Sequence, residues 1–558
     1  VTAMTDGAVV DTYRLYCSKL PVVYIDTVDG HGITSKTVYK DASMRIQGND
    51  TYNSTTTTLY DGATEIRGRG NSTWNTGYNK LPYKLKLGKK TNLFGFGESK
   101  HWALLANYMD ESLMRNTLSY DLAKEMGMES YLPSTHVEVV LNGNYAGNYQ
   151  LVGNVRVEES RVNIFDWEDA AGDAAKAIAK KHGLAKDQQD ALEDYLVENM
   201  EWITSEQGIN YNGSVYPRED YESVLPTDAS GNVDLSGGFL FELDAYYDEA
   251  SKFQTTYSQP FMFKSPEFVI TNKELFSTAQ NYIQALENSI HASDFYTTYQ
   301  NESVHYTDLA DLDSLVRYFV LNEFFWNTET MKKSTFMYKD LGKKLYVGPV
   351  WDMDWTSNSL VSKTETWNYQ VWLTNDRNDG AQREQWYKYL IADPYFVTKV
   401  YECYQANKGN FEDIIKTGGI IDRNIEYLTE SANSNYNAGF LRDDLLWEND
   451  ARFDAAVTRL RTFLSNRKNW MDTQCASVDG LLASFGKFKA SGNLTAAVDT
   501  SGEKTTVYTA NVTDSTVEKV GFYINGILAG TADVTEGTAS FTASDSYLER
   551  DSTKLNVV

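Results

Sequence analysis

The sequence predicts a two-lobed α+β domain followed by a smaller all-β domain. Strand patterns prevail up to about residue 155, helical periodicity dominates from about residue 270 to residue 470, and short strand patterns return after residue 476. Strands followed by helices are typical of α+β domains, whose sites lie in clefts. We therefore predict one domain at residues 1–476, with a helical insert at residues 167–235, and a second domain at residues 477–558.

Composition and charge narrow the classes of partner. The chain has 558 residues, of which 77 are acidic and 51 basic, and its formal net charge of −26 disfavours binding to nucleic acid. No apolar run approaches the ~20 residues that a membrane-spanning helix requires. The acidic field instead favours metal cations or basic proteins as partners.

The cysteine content gives an expectation about location. Cys17, Cys403 and Cys475 are widely spaced and form no CxxC motif. One disulfide is compatible with them, although three small buried hydrophobic residues are the simpler interpretation. Because cysteine is scarce and Tyr, Thr and Asn are plentiful, we expect a secreted or cell-surface protein.

The N-terminal strands lead into a candidate phosphate-binding turn. Strands are predicted over residues 20–27, 36–48 and 55–71, and the last runs into RGRGNSTW, residues 67–74. The next strand, PYKLKL, carries Lys84 and Lys86 on one face. Backbone N–H groups of a polar turn and an ammonium group together can hold phosphate oxygens. A solvated strand face is the alternative interpretation.

The pattern changes to a helical period from His101. Apolar residues at Leu113, Leu118, Leu122 and Met126 have helical spacing, which predicts a helix that ends at Gly127, with Asp110 as a plausible N-cap. Further on, Asn142-Gly143 predicts a tight hairpin between two strands.

A second hairpin carries the candidate metal ligands. The segments STFMYKD and KKLYVGPVWDMD, residues 334–340 and 343–354, are predicted strands, and Asp352 and Asp354 end the second one with both carboxylates on one side. Glu329 lies five residues before Ser334. Carboxylates in this arrangement suit Mg²⁺ or Mn²⁺. Alternatively, the two aspartates bind turn amides after a buried strand.

Two further features complete the sequence pattern. Glu242 and Asp244 lie in the strand-like GGFLFELDAYYDE, where they are either paired in the core or directed into a cleft. The segments NLTAAVDT, KTTVYTANV, VEKVGFYING and GTASFTA predict an immunoglobulin-like β-sandwich. Because the chain ends at LNVV, inside a predicted strand, we expect this sandwich to be truncated.

Several segments, taken in order, resemble the spore-coat protein H (CotH) kinase family. They are LPVVYI, RGRGNSTW, PYKLKL, LLANYMDESLMRN, VEVVLNGNYAGNYQL with RVNI, GGFLFELDAYYDE and GPVWDMD, and they cover residues 18–475 apart from the insert. The resemblance implies a bacterial, atypical protein-kinase-like fold that uses ATP and Mg²⁺ or Mn²⁺ to phosphorylate Ser or Thr of a protein. Secreted members occur in surface-attached and polysaccharide-degrading assemblies.

The resemblance also implies roles for individual residues. It places Gly70, Asn71 and Ser72 near the nucleotide phosphates, Lys84 as the phosphate-binding lysine with Lys86 as the fallback, Glu329 as the base, Asp352 as the main metal ligand, and Asp354 and Ser334 as further ligands.

Three positions depart from the family pattern. Glu329 stands where the family has Asp, Ser334 stands where it has Asn, and Gly153, followed by Asn154, stands where a Glu is common. The longer Glu329 side chain alters the reach of a base, and a hydroxyl is a weaker Mg²⁺ ligand than a carbonyl oxygen. A non-catalytic scaffold that binds protein or carbohydrate is therefore a second hypothesis. A glycosidase that uses Glu242, Glu329 and Asp352 is a third.

Overall fold

The computed structural model describes most of the chain. The described residues are 2–5, 8–12, 18–48, 57–75, 77–359, 367–376, 385–440, 452–486, 493–499, 505–524, 527–544 and 555–557. They form a mixed α+β structure, as the sequence predicts.

The N-terminal part is a closed seven-stranded barrel with strand order β3-β4-β5-β6-β7-β9-β8. Its strands are β3 Val22–Thr27, β4 Lys40–Gln47, β5 Thr58–Gly68, β6 Tyr83–Asn92, β7 Glu98–Leu105, β8 Ser134–Leu141 and β9 Asn144–Gly153, and a hairpin of β1 Thr2–Thr5 and β2 Ala8–Thr12 precedes them. Alternation fills the barrel with apolar side chains, so that Leu85 is buried inside β6 while Lys84 and Lys86 lie on its outer face. Asn142 and Gly143 have φ of 49° and 74°, which confirms the predicted tight turn between β8 and β9.

Strand β7 corrects the helical pattern predicted from His101. Trp102 and Leu104 point into the barrel core, and Ala103 and Leu105 pack against the rest of the protein. A strand buried on both faces reads as a continuous apolar run, so the alternation that identifies strands is missing. The helix itself, α1, spans Arg115–Glu125 and ends beside Gly127.

The predicted N-cap of α1 is wrong in detail. Met114 occupies the N-cap position and makes no side-chain capping hydrogen bond. The carboxylate of Asp110 still accepts a hydrogen bond of 2.8 Å from the backbone N–H of Arg115. Asp110 therefore satisfies one of the free backbone N–H groups at the start of the helix, although it lies outside the helix.

The second part combines a five-stranded antiparallel sheet of order β13-β14-β12-β17-β18 with helices that share one large apolar core. Its strands, with two small hairpins, are β10 Ile209–Tyr211, β11 Ser214–Tyr216, β12 Phe239–Leu243, β13 Lys252–Gln254, β14 Pro260–Ser265, β15 Tyr296–Tyr299, β16 Glu302–His305, β17 Thr335–Lys339 and β18 Leu345–Val347. The helices are α2 Trp167–His182, α3 Lys186–Glu198, α4 Lys273–His291, α5 Tyr306–Leu309, α6 Leu312–Phe325, α7 Leu373–Asp376, α8 Trp386–Leu390, α9 Pro394–Ile415, α10 Ile420–Asn437, α11 Phe453–Gln474 and α12 Val478–Ser484.

Strand β18 is shorter than the sequence predicts. It ends at Val347, and Gly348, with φ of 133°, and Pro349 follow outside the sheet. Proline lacks the N–H that a strand ladder needs. Asp352 and Asp354 therefore lie in an irregular segment rather than at a strand end, and Asp352 has a left-handed φ of 60°.

Residues after position 476 begin with a helix. Leu481 and Phe485, at and after α12, are buried in the large core, so the packed unit extends beyond the predicted boundary at residue 476. Two three-stranded sheets, β19-β20-β23 and β22-β21-β24, then follow. These strands are β19 Asn493–Asp499, β20 Thr505–Asn511, β21 Lys519–Ile524, β22 Ile527–Asp533, β23 Thr538–Ser544 and β24 Leu555–Val557. An immunoglobulin-like topology and the status of residues 167–235 as an insert stay predictions.

The cysteines and the helices bear on two composition-based expectations. Cys403 and Cys475 are free, and burial raises the pKa of each thiol to about 12, whereas Cys17 lies outside the described residues. Within the described ranges, every helix is too short or too polar to cross a membrane.

Candidate functional site

Three connected segments bring four carboxylates together. The loop after α6 carries Glu329, the segment after β18 carries Asp352 and Asp354, and Asp244 follows β12. Each of Asp352 and Asp354 has Glu329 among the charges that raise its pKa. We call these four residues the acidic group.

Asn327 fixes the loop that carries Glu329. Its side-chain amide donates to Asn322 Oδ1 at 2.8 Å and lies 3.3 Å from Met353 Sδ, and its Oδ1 accepts from the backbone N–H of Glu329 at 3.0 Å. Asn327 thereby joins α6, the Glu329 loop and the segment of Asp352 and Asp354.

Helix α1 fixes that last segment from the other side. Asn116 Oδ1 accepts a 2.7 Å hydrogen bond from the backbone N–H of Met353, and Arg115 Nε donates to the Thr356 carbonyl at 2.9 Å. Arg115 is fully buried and is neutralised by Asp110 and by Glu111, the latter at 3.4 Å. Asn116 thus holds the backbone before Asp354, and the buried, paired Arg115 holds the backbone after it.

The crowding of carboxylates shifts their protonation. Partial desolvation by the surrounding protein and the negative charge of the neighbouring Glu329 raise the pKa of Asp352 to about 6, although the residue keeps contact with solvent. Burial and the charge of Asp352 also raise the pKa of Asp354. Across the described ranges, neither carboxylate accepts a hydrogen bond from a backbone N–H, which argues against a mere turn-stabilising role.

The donor set suits a metal that takes part of its coordination from a ligand. Ser334 Oγ lies 3.4 Å from Asp352 Oδ2. In the described part of the chain, no three His, Cys, Asp or Glu side chains are placed to hold a metal by themselves. Mg²⁺ commonly binds one or two carboxylates and completes its shell with phosphate oxygens and water. Asp352, Asp354 and Ser334 offer that kind of partial set.

Lys84 lies near four other cations, one of which, Arg69, interacts with Asp352 and Asp354. Burial lowers the pKa of Lys84 to about 8, and repulsion from Arg67, Arg156, Lys264 and Arg69 adds to this shift. Among the described residues, Lys84 has no carboxylate within 4.0 Å. We call these five residues the cationic group. Lys264 and Arg156 are ion-paired with Glu242 and Glu158, each at 3.3 Å, so Lys84, Arg67 and Arg69 are the members whose charge favours the binding of an anion.

The other predicted phosphate contacts are placed differently. Lys86 Nζ lies 3.1 Å from Glu65 on the outer wall of the barrel, outside the cationic group. The carbonyl of Gly70 and Oδ1 of Asn71 accept from Lys36 Nζ at 2.9 and 3.2 Å, and Asn71 and Ser72 are exposed. The turn is thus held in one conformation, while its contact with phosphates stays a prediction.

Arg69 joins the two charged groups, and the sequence argument missed it. Its guanidinium lies 5.2 Å from the ring centroid of Trp351, and Asp352 and Glu242 are among the carboxylates that counter the effect of burial on its pKa. Arg67 pairs with Lys84 across β5 and β6, and Arg69 follows directly after the end of β5 at Gly68. That cross-strand register was the available signal.

In a comparison with protein-family models, residues 66–471 match the family described as "CotH kinase protein". The chain belongs to the CotH kinase family. A comparison with curated proteins found no significant match.

Glu329, the residue predicted to be the base, is ion-paired. Glu329 lies 2.9 Å from Lys333 Nζ. Lys333 is held over the rings of Tyr246 and Trp355, with Nζ 5.4 and 5.7 Å from their centroids. Sequence reasoning did not identify Lys333, although its spacing of four residues from Glu329 suits an ion pair.

The backbone of Ser334, which was predicted to be a metal ligand, is constrained. Ser334 has φ of 48°, and Asp244 accepts hydrogen bonds from its backbone N–H at 3.0 Å and from that of Tyr246 at 2.8 Å. Asp244 therefore supports the loop instead of pointing freely into the site.

Gly153 has a packing reason in this member of the CotH kinase family. A Cβ at position 153 would lie 1.9 Å from Nε of Arg161, whose guanidinium stacks on Trp102 at 4.8 Å. Arg161 therefore fills the space that a Glu side chain would need. Nearby, Arg67 Nε, His101 Nδ1 and Asn154 Nδ2 are buried without a hydrogen-bond partner among the described residues, so this region offers unused polar groups to a ligand.

Proposed function

We propose that this CotH kinase family member transfers a phosphoryl group from ATP to a Ser or Thr hydroxyl of an extracellular protein, with Mg²⁺ or Mn²⁺. The observation that carries the proposal is that Arg69 interacts both with Lys84 of the cationic group and with Asp352 of the acidic group. Phosphoryl transfer needs cations for the phosphates and carboxylates for the metal at one site.

The residues have separate roles in this proposal. Asp352 and Asp354, with Ser334, would hold the metal ion, and Lys84 with its neighbouring arginines would bind phosphate oxygens. Bound ATP would supply the transferable phosphoryl group, and the metal ion would neutralise its charge. The unpartnered Nε–H donor of Arg67 fits the same anionic ligand.

Glu329 would orient the substrate hydroxyl and accept its proton as the oxygen attacks phosphorus. Its ion pair with Lys333 has to loosen before the carboxylate can do so. Because the aromatic rings of Tyr246 and Trp355 already stabilise the Lys333 ammonium, the lysine keeps favourable contacts when it leaves Glu329.

The second candidate is a nucleotide-binding scaffold without turnover. It is favoured by the same Glu329–Lys333 pair, which occupies the base, and by Ser334 in place of the family's Asn. Such a protein would keep the fold for recognition of a protein or carbohydrate partner. Glu242 is ion-paired with Lys264 at 3.3 Å, so it is not free to act as the acid or nucleophile that the glycosidase hypothesis requires.

The test is incubation of the full chain with γ-labelled ATP and Mg²⁺ or Mn²⁺, with and without casein. The matched control is Asp352→Asn, since Asn tolerates the left-handed φ of 60° at this position. Label transfer in the wild type and its loss in the control would support the phosphotransferase.

Two other outcomes decide between the alternatives. A melting temperature raised by ATP and metal in the wild type only, without label transfer, would favour the scaffold. If neither label transfer nor a shift occurred, both proposals for this site would be wrong.

A further inference from the structure

A separate cavity of about 980 Å³ lies at the far end of β17 from the acidic group. Ser334 precedes this strand and Lys339 ends it, so about 17 Å of extended chain separate the two sites. The loop at residues 228–236, the first turns of α4, the end of β15 and the turn before β18 form its walls.

Lys339 is an unusual residue in the wall of this cavity. It is only 4% exposed, and its ammonium nitrogen lies 4.6 Å from the ring centroid of Tyr282 and 3.5 Å from the Asp340 carbonyl oxygen. No carboxylate lies within 4.0 Å of this nitrogen in the described part of the chain, and at longer range Asp234 and Asp340 partly counter the lowering of the Lys339 pKa by burial. Buried lysines are nearly always paired, so an anion in the cavity would complete this site.

The other basic residues of the lining are not equivalent. Arg218 donates to the carbonyls of Ile203 and Ser205, and Lys344 donates to the carbonyl of Thr307 at 2.6 Å. The side chain of Lys343 makes no hydrogen bond or ion pair with any described residue. Lys343 and Lys339 are therefore the two basic residues of the lining whose ammonium groups have neither an ion pair nor a hydrogen bond shorter than 3.5 Å with a described residue.

Most of the acidic lining is already engaged. Asp228, Asp234 and Asp308 accept hydrogen bonds of 2.8 to 2.9 Å from backbone N–H groups of their own turns. Glu206 and Glu274 also line the cavity and offer acceptors for hydroxyl groups. Because the lining has five carboxylates and four basic groups, the positive charge that could hold an anion is local to Lys339 and Lys343.

The aromatic wall suggests the rest of the ligand. Tyr282 and Tyr299 pack edge to face with centroids 5.6 Å apart, and the hydroxyl of Tyr282 donates to the Leu309 carbonyl at 2.5 Å. Fixed tyrosine rings provide a surface for a ring or a carbon skeleton.

We propose that this cavity binds a small organic oxyanion, with its acid group on Lys339 and Lys343 and its carbon skeleton against Tyr282 and Tyr299. A phosphate ester and a carboxylate share the chemistry that these groups recognise. The site is independent of the proposed phosphotransferase, since none of its residues belongs to the acidic or cationic group.

The test measures binding of glucose 6-phosphate, citrate and inorganic phosphate to the full chain by calorimetry. All variants carry Lys84→Met, which removes a cation of the other site. We expect binding in this background, loss by about tenfold or more on adding Lys339→Met, and retention on adding Lys339→Arg. Lys339→Met should remain folded, because an apolar side chain of similar length replaces a buried, unpaired charge.

The outcomes separate the sources of the anion. Binding of glucose 6-phosphate alone supports a phosphate ester, and binding of citrate alone supports a carboxylate. No binding of any probe in the Lys84→Met background, or equal binding with and without Lys339→Met, would overturn the proposal.

Discussion

Ser334 combines a constrained backbone with a weak metal-ligand side chain. Its φ of 48° lies in the left-handed region, where Asn is among the most tolerant residues other than glycine. Its hydroxyl reaches Asp352 at 3.4 Å, and its backbone N–H is bound by Asp244. Asn fits this backbone and adds a carbonyl oxygen, a better ligand for Mg²⁺.

Ser334→Asn should therefore strengthen metal-dependent ATP binding without loss of stability. We expect a several-fold lower dissociation constant for ATP at fixed Mg²⁺, measured by calorimetry, and a melting temperature close to that of the wild type. Ser334→Ala is the matched control, and equal affinities of the two variants would contradict the ligand role.

Arg69 is the residue whose loss should most clearly separate binding from folding. Arg69→Met removes the cation between Lys84 and Asp352, and we expect ATP affinity, and any label transfer, to fall by about tenfold or more. Lys86→Met is the control, because Lys86 pairs with Glu65 at the surface and such pairs contribute little. Similar effects of both substitutions on ATP affinity would contradict the role of Arg69.

At the scale of elements, one buried ion pair holds three segments together. Arg467 of α11 lies 2.8 Å from Glu323 of α6, and both side chains are almost fully buried. Arg467 also donates to the carbonyls of Tyr369 and Val371, and Glu323 accepts from the backbone N–H of Leu373 at 2.9 Å. The pair therefore anchors the segment before α7 to two helices.

Arg467→Met should lower the free energy of unfolding by about 3–5 kcal/mol, because it leaves the Glu323 charge buried and unpaired. Arg423→Met, which breaks an exposed pair of 3.1 Å with Asp413, should cost less than about 1 kcal/mol. Urea unfolding of both variants measures the difference, and equal losses would contradict a structural role for the buried pair.

Elements with a clear local pattern were predictable, and elements shaped by their neighbours were not. The strands β3 to β6 alternate, and α4 has an apolar stripe, so their residues identify them. Strand β7 lost its alternation because both faces are buried, whereas β18 was predicted too long although Gly348-Pro349 directly after it is a signal for the end of a strand.

At the scale of the whole molecule, buried carboxylates couple stability to pH. Burial raises the pKa of Asp393 to about 6 and that of Glu242 to about 7. A carboxyl group with a raised pKa binds its proton more tightly in the folded state, so it stabilises the fold at low pH. This contribution is lost as the pH rises from about 4 through about 7.

We expect the free energy of unfolding at pH 5.5, relative to that at pH 8, to be larger in the wild type than in Asp393→Asn, as measured by urea unfolding at constant ionic strength. The net charge of −26 acts in the same direction as Asp393, because repulsion grows as carboxyl groups ionise. His101, His136 and His305, whose pKa values burial lowers, act in the opposite direction in both proteins. Asp393→Asn should reduce the pH dependence by up to about 3 kcal/mol, since Asn can cap α9 without titrating. An equal pH dependence of the wild type and Asp393→Asn would contradict this account.

The sequence by itself determined the α+β class, the family resemblance, and the choice of Lys84, Glu329, Asp352 and Asp354 as candidates. Those inferences rest on local periodicity and on short motifs, and each motif can be recognised from a few consecutive residues. Only the tertiary structure decided that Arg69 and Lys333 face the acidic group, and that Arg161 replaces the side chain missing at Gly153. These contacts join distant strands and loops, and their geometry depends on how the barrel packs against the second sheet.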